Sequence, residues 1–171
     1  MKTTRIGDVV STTKITVKPK PGTQYWHYSL PAFDAGMKPV YEDGSAIASN
    51  KLSVSKGDIL CNKLNMKFKR IWRVDADLQN SICSTEFVPI QAVNVDRSFL
   101  YYILTSDDFT SKMSGMRTGT SGSHQRVSVD WILDYEFNLP GIETQQRIGA
   151  LLGQIDSRIR NNAQLNDYLA A

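Results

Sequence analysis

The stretch that most constrains what this chain can become lies beyond Pro140-Gly141. There Ile148, Leu151 or Leu152, Ile155, Ile159, Asn162, Leu165 and Leu169 recur at steps of three and four, which places them on one side of an α-helix. The spacing predicts a single helix from about Glu143 to the C-terminus, roughly 40 Å long at about 1.5 Å per residue. Its polar side is expected to carry Gln145, Arg147, Gln154, Arg158, Arg160 and Gln164. The repeat sits nearer the coiled-coil value of about 3.5 than a broad core-facing stripe, and Asn162 on the seam would fix register at some cost in stability. The alternative is a terminal helix packed along its own body.

Upstream the pattern changes to short β-like runs. Arg5–Val10, Lys14–Val17, Tyr25–Tyr28, Leu52–Val54, Asp58–Asn62, Ile71–Val74 and Glu86–Val93 read as strands, separated by turn signals at Lys18-Pro19-Lys20-Pro21-Gly22, Asp34-Ala35-Gly36 and Glu42-Asp43-Gly44. Asp96 is a good N-cap for a helix through Phe99-Leu100-Tyr101-Tyr102-Ile103-Leu104, and a second short helix is expected from Asp107 toward Lys112. Met113–Ser123, with Gly115, Gly119 and Gly122 among Ser and Thr, reads as a mobile loop. Val127–Val129 then reads as a strand, Asp130 as the cap of a short turn, and Glu136–Leu139 as a last strand before the helix. The fold class expected is α+β: a mixed, β-rich body over 1–141 followed by a long coiled-coil-like helix over 142–171.

With 41% hydrophobic and 22% charged residues the chain has globular rather than disordered usage. No apolar run approaches the ~20 residues that span a bilayer, and no secretory leader is expected, so the location expected is cytoplasmic. Cys61 and Cys83 have no CxxC spacing and are expected to be unreactive. A net charge of +3 says little, but its distribution says more. Acid-free windows hold Lys14, Lys18 and Lys20, then Lys63, Lys67, Lys69, Arg70 and Arg73, then Lys112, Arg117 and Arg126. Lys and Arg neutralise phosphates and release counterions, while amides and guanidinium groups bond base edges. Phe68 and Trp72 within the second window are expected to pack inward. Ser123, His124, Gln125 and Arg126 follow the glycine-rich stretch and could enter a groove.

A catalytic assignment finds little support. GxxxxGK[ST] and GxGxxG are absent, His27 and His124 lie in no metal-binding pattern, and no tetrapeptide like the Asn-Pro-Pro-Tyr of amino-methyltransferases is present. The paired acids Glu42-Asp43 and Asp107-Asp108 read as caps or surface. No cofactor and no metal is expected, and the chain is expected not to be an enzyme.

Leu139-Pro140-Gly141-Ile142-Glu143-Thr144-Gln145-Gln146-Arg147-Ile148, followed by Leu151-Leu152-Gly153-Gln154-Ile155-Asp156, resembles the end of a target-recognition domain and the start of the spacer helix in specificity subunits of type I restriction-modification systems. Arg5-Ile6-Gly7-Asp8-Val9, Gly57-Asp58-Ile59-Leu60, Ile82–Phe87 and Gly119-Thr120 with Gln125-Arg126-Val127 resemble further segments of that family in the same order. Thr144 between Glu143 and Gln145 departs from the adjacent acid-glutamine pair. The resemblance covers nearly the whole chain. It implies a non-catalytic domain that grips one half of a split target in double-stranded DNA, with a helix that sets distance and orientation. It also implies methyltransferase and restriction subunits as partners.

The residues expected to hold DNA are Lys18, Lys20, Lys63, Lys67, Lys69, Arg70, Arg73, Arg117, Ser123, His124, Gln125 and Arg126. Those expected to pair helices in a homodimer or on a partner are Ile148, Leu152, Ile155, Ile159, Asn162, Leu165 and Leu169. The rival expectation is a protein-interaction module that docks on a methyltransferase with little DNA binding of its own.

Overall fold

The computed structural model describes residues 2–12, 14–116 and 125–169. Its strands form three sheets. A four-stranded antiparallel sheet runs in the order β2 (Val10–Thr12), β10 (Phe87–Ala92), β7 (Ile59–Asn62), β8 (Ile71–Arg73). A five-stranded sheet runs β3 (Thr16–Val17), β6 (Lys51–Ser53), β9 (Ser81–Cys83), β4 (Gln24–Tyr28), β5 (Val40–Asp43), with β4 and β9 parallel. A small ribbon pairs β1 (Lys2–Arg5) with β11 (Glu136–Leu139).

Alternation along the strands explains why the four-stranded sheet sits at the centre. Successive strand residues point to opposite faces, and here both faces are apolar. Ile59, Cys61, Ile71, Val88 and Ile90 enter one core with Phe99, Leu100, Leu104, Phe109 and Met113 from the helices. Leu60, Trp72 and Phe87 enter a second core with Tyr28, Val54 and Cys83, toward the five-stranded sheet. Tyr28 and Phe33 stand edge-on to Trp72, at ring separations of 4.7 and 5.7 Å.

The helical layer is α2 (Arg97–Thr105), α3 (Asp107–Gly115) and α4 (Val129–Leu133), and a short α1 (Leu30–Asp34) lies beside the second core. Asp96 caps α2 by accepting from the Phe99 amide at 2.8 Å, as the sequence predicts. Ser106, not an acid, caps α3, and Ser128 rather than Asp130 caps α4.

Several expectations are corrected. The run Arg5–Val10 is not one strand, because a single 3₁₀ turn at Ile6–Asp8 separates β1 from β2 and sinks Ile6 into the core. Met113–Gly115 belongs to α3, which buries Met113 fully, and Met116 is its C-cap; the rest of the expected loop, 117–123, lies outside the described residues. Val127–Val129 is not a strand. Leu64 and Arg126 form an isolated bridge there, and α4 follows at once. α1, β5 and β9 were not foreseen, and β5 runs through Glu42 and Asp43, where a turn was expected; the turn itself begins at Gly44.

The long helix α5 spans Ile142–Leu169. Its first half lies along α2, and from Ser157 to Leu169 every residue is exposed. Gln145, expected on the polar side, is instead one of the two buried residues of the helix, with Gly149. Among the described residues no helix is long and apolar enough to cross a membrane.

Candidate nucleic-acid interface

The basic window 63–73 does not make one surface. Arg73 pairs across the sheet with Ile59, and Asn62 with Phe87, so Lys63 leaves the sheet at the end opposite Arg73. At about 3.3 Å per residue the two lie roughly 13 Å apart along the strand. Arg73 stacks its guanidinium on Tyr101 at 4.7 Å and lies near Asp75 at 3.8 Å. It faces the rod side, lining a cleft with Lys38, Tyr101 and Arg160.

Other cations of the window are engaged by acids. Arg70 donates from Nε and Nη2 to both carboxylate oxygens of Asp34 at 2.8 Å and covers Phe68 at 4.8 Å. That guanidinium holds the Asp34 carboxyl below its ordinary range. Lys69 pairs with Asp107 in the first turn of α3. Trp72 is buried as expected, whereas Phe68 is 56% exposed beneath Arg70, because the turn that carries it stands off the sheet.

Lys63 and Lys67 behave differently. Neither forms an ion pair among the described residues, and Lys67 is exposed. The segment that carries them is stitched to the one after 117–124. The Asn65 amide donates to the Gln125 carbonyl at 2.9 Å, and the Val127 amide to the Lys63 carbonyl at 3.0 Å. Arg126 closes the stitch with a forked contact to Glu86, Nη2 to Oε1 at 2.7 Å and Nε to Oε2 at 3.0 Å. The fork pulls the Glu86 carboxyl below its usual range. The Gln125 backbone and the Arg126 guanidinium thus fasten this end of the sheet.

Beside the stitch lies a depression of about 240 Å³. Val88, Pro89 and Val129 contribute apolar walls, and Lys14, Lys63, Thr12 and Thr16 bring polar side chains. Lys14 is exposed and makes no ion pair among the described residues. It was not among the expected contacts, although it belongs to the first acid-free window; its place opposite Lys63 comes from β3, which pairs with β6 and brings Leu52 to the same depression.

Lys18 and Lys20 are exposed on the loop before β4. That loop is held by the Lys20 amide, which donates to Tyr25 Oη at 3.3 Å. It also packs on Gly44, where a Cβ would stand 2.2 Å from the Lys20 carbonyl oxygen. Arg117, Ser123 and His124 lie outside the described residues.

Of the stripe on α5, Ile148 and Leu152 are partly buried, Ile148 against the core of the body. Ile155, Ile159, Leu165 and Leu169 are 44–72% exposed, and Asn162 is exposed. The stripe therefore divides between the body and the outside. Such a run of exposed large apolar side chains on one helix is unusual for an isolated surface helix.

Over residues 1–171 the sequence matches the family described as Type I restriction modification DNA specificity domain. The chain belongs to that family. The specificity subunit of the type I restriction enzyme HindI from Haemophilus influenzae is 32% identical over 121 residues, which are 70% of this chain and 26% of that protein. The crystal structure of the HsdS subunit from Thermoanaerobacter tengcongensis superposes with a TM-score of 0.78 at 24% identity, over 96% of this chain and 44% of that one. A chain from a structure of complex assembly and conformational transition in the type I restriction-modification system gives 0.78 at 26% identity, with the same coverage.

This member of the specificity family thus spans about a quarter of its curated relative and under half of the solved chains. Its α+β fold, with a sheet-rich body and a long final helix, is that of the solved neighbours. Specificity subunits of type I systems are non-catalytic.

Proposed function

We propose that this chain is a non-catalytic DNA-binding unit of a type I restriction-modification system. Its body, 1–141, reads one half of a split target in duplex DNA, and α5, within 142–171, acts as a spacer. Membership of the specificity family supports the class, and one observation supports the place. Lys14 and Lys63, neither in an ion pair among the described residues, share a depression next to Lys67 and the Gln125–Val127 segment, although the charge of Lys63 is felt by Glu86. Cations outside ion pairs are the ones that gain most from a phosphate, since no existing pair has to be broken. Lys69, Arg70 and Arg73 shape the surface and contribute less to binding. The Thr12 and Thr16 hydroxyls and the apolar walls supply the kind of groups that meet sugars and base methyls.

In the same proposal two copies pair through the exposed part of the stripe from Ile155 to Leu169, giving a two-fold assembly on a palindromic split target. Methyltransferase and restriction subunits assemble on that pair in the cytoplasm. Fluorescence anisotropy with duplexes recovered from a random library tests the central claim: the selected half-site is expected to bind at least tenfold tighter than a scrambled duplex. Equal binding of both, vanishing at moderate salt, overturns it.

A second reading, a module that docks on a methyltransferase with little DNA contact, is favoured by the acids that already occupy Lys69 and Arg70. Lys63→Glu with Lys67→Glu separates the two, since it abolishes duplex binding in the first and has no effect on partner capture in either.

A further inference from the structure

Besides Ile148, which packs against the core of the body, three contacts join one face of the first half of α5 to the body. Gln145 is 97% buried, with 3% exposure, and its amide works in two directions. Nε2 donates to the Pro140 carbonyl at 2.8 Å, and Oε1 accepts from the Asp96 amide at 2.8 Å. One side chain thereby ties the turn between β11 and α5 to the cap of α2. One turn on, a Cβ at Gly149 would stand 2.8 Å from Ser98 Cβ, 3.0 Å from Asp96 Oδ1 and 3.1 Å from the Phe99 nitrogen, so the two helices meet where only glycine fits. Two turns further, Tyr102 Oη donates to Asp156 Oδ2 at 2.8 Å. Burial and this bond push the Tyr102 hydroxyl up to about 12. From Ser157 to Leu169 every residue is exposed, and Arg160 reaches back to line the cleft with Arg73 and Tyr101.

The closely packed part of the joint therefore lies between Gln145 and Asp156. The lever is long. From Gly149 to Leu169 the helix rises about 30 Å, so a tilt of about 10° at the joint moves its tip by roughly 5 Å. One base-pair step is about 3.4 Å, which makes even a small tilt larger than one step of DNA.

We infer that Gln145, Gly149 and the Tyr102–Asp156 pair are positioning residues that lock the angle between recognition body and spacer helix, and so restrict the number of base pairs tolerated between half-sites. This rests on the proposed function. The joint acts on spacing alone: the groups placed against DNA lie on β2, β3, the segment between them and the turn after β7, and none of them is a partner of Gln145, Gly149 or Asp156.

The experiment has two arms. In the first, spin labels are placed at Lys56→Cys and Asn161→Cys, both exposed, in full-length protein diluted with unlabelled protein to isolate distances within one chain. Cys61 and Cys83 are buried and stay unlabelled. A single narrow distance is expected, broadened in Gln145→Ala and Tyr102→Phe and displaced by about 3 Å in Gly149→Ala, since Asn161 lies about 18 Å along the helix from the joint. Ser98→Gly, which removes the atom nearest the new methyl, is expected to return the Gly149→Ala distance toward the original.

In the second arm, selection from a random duplex library reads the gap between half-sites. The wild type is expected to return one gap length, and each joint variant the same half-site with a shifted gap or several gaps. A broad distance in the unsubstituted chain, or unchanged distance and gap in folded variants, overturns the inference. If selection yields no gapped motif while the distances behave as expected, the function proposal fails and the joint stands. Should Gln145→Ala not fold, Tyr102→Phe, which removes a single hydrogen bond, carries both readouts.

Discussion

At the scale of single residues, the useful distinction is between cations already in an ion pair and those outside one. Lys14→Glu and Lys63→Glu are each expected to weaken duplex binding about tenfold, or about 1.4 kcal/mol, measured by anisotropy at fixed salt. Arg70→Gln is expected to change affinity less than twofold and stability by about 0–1 kcal/mol, as for other surface pairs, read by denaturant titration. A separate titration belongs to His27, whose Nδ1–H donates to Glu42 at 2.7 Å while Nε2 is buried without a partner. Burial holds its pKa below the ordinary 6.5, against the opposing pull of Glu42. A depressed folded-state value means that the unfolded chain binds the proton first, so stability is full above pH 6.5 and falls as pH drops below it. His27→Gln is expected to flatten the loss between pH 7 and 5, a slope that one group limits to about 1.4 kcal/mol per pH unit. Which lysines lie in basic windows was legible in the sequence. Their acidic partners were not, since Asp34 stands 36 residues from Arg70 and Asp107 stands 38 from Lys69, and only the fold brings them together.

At the scale of elements, strong periodicity and capping were legible and short pieces were not. α2 follows its Asp96 cap and α5 its three-and-four spacing, because many residues repeat the same signal along each. α1 and β9 have five and three residues, too few for a period to stand out, and the 3₁₀ turn at Ile6–Asp8 interrupts a run that composition alone reads as continuous strand. Gln145 was placed on the polar side for a related reason: wheel position separates polar from apolar residues, but it does not reveal a buried amide with partners at both ends. The outer half of α5 is exposed from Ser157 to Leu169, and helices owe most of their stability to tertiary packing. Hydrogen exchange is therefore expected to be fast from Ser157 to Leu169 in dilute monomer and markedly slower once copies associate. Ile159→Asp with Leu165→Asp is expected to abolish association in light scattering and leave the thermal midpoint of the body unchanged.

At the scale of the whole molecule, charge predicts how binding responds to salt. Each phosphate neutralised on B-DNA contributes about −0.9 to the slope of log K against log salt. Lys14, Lys63 and Lys67 thus imply a slope near −3 for one body and near −6 for a pair, and removing one lysine is expected to reduce the slope by about one. A slope of −1 or less would place the contact elsewhere. The family and the order of its segments were readable from the chain; the division of the basic window between two ends of one sheet was not, since it depends on the register of β7 against β8.

The stitch between 63–67 and 125–127 is one of two fastenings along this part of the chain. On one side Met113 is anchored in the core; on the other, the Val127 amide and the Arg126 fork fasten the returning chain to Lys63 and Glu86. The two anchors are independent of each other, like separate clasps on one strap. Glu86→Gln is expected to open the second clasp, read as faster hydrogen exchange at Val127, while Met113 stays protected in the core.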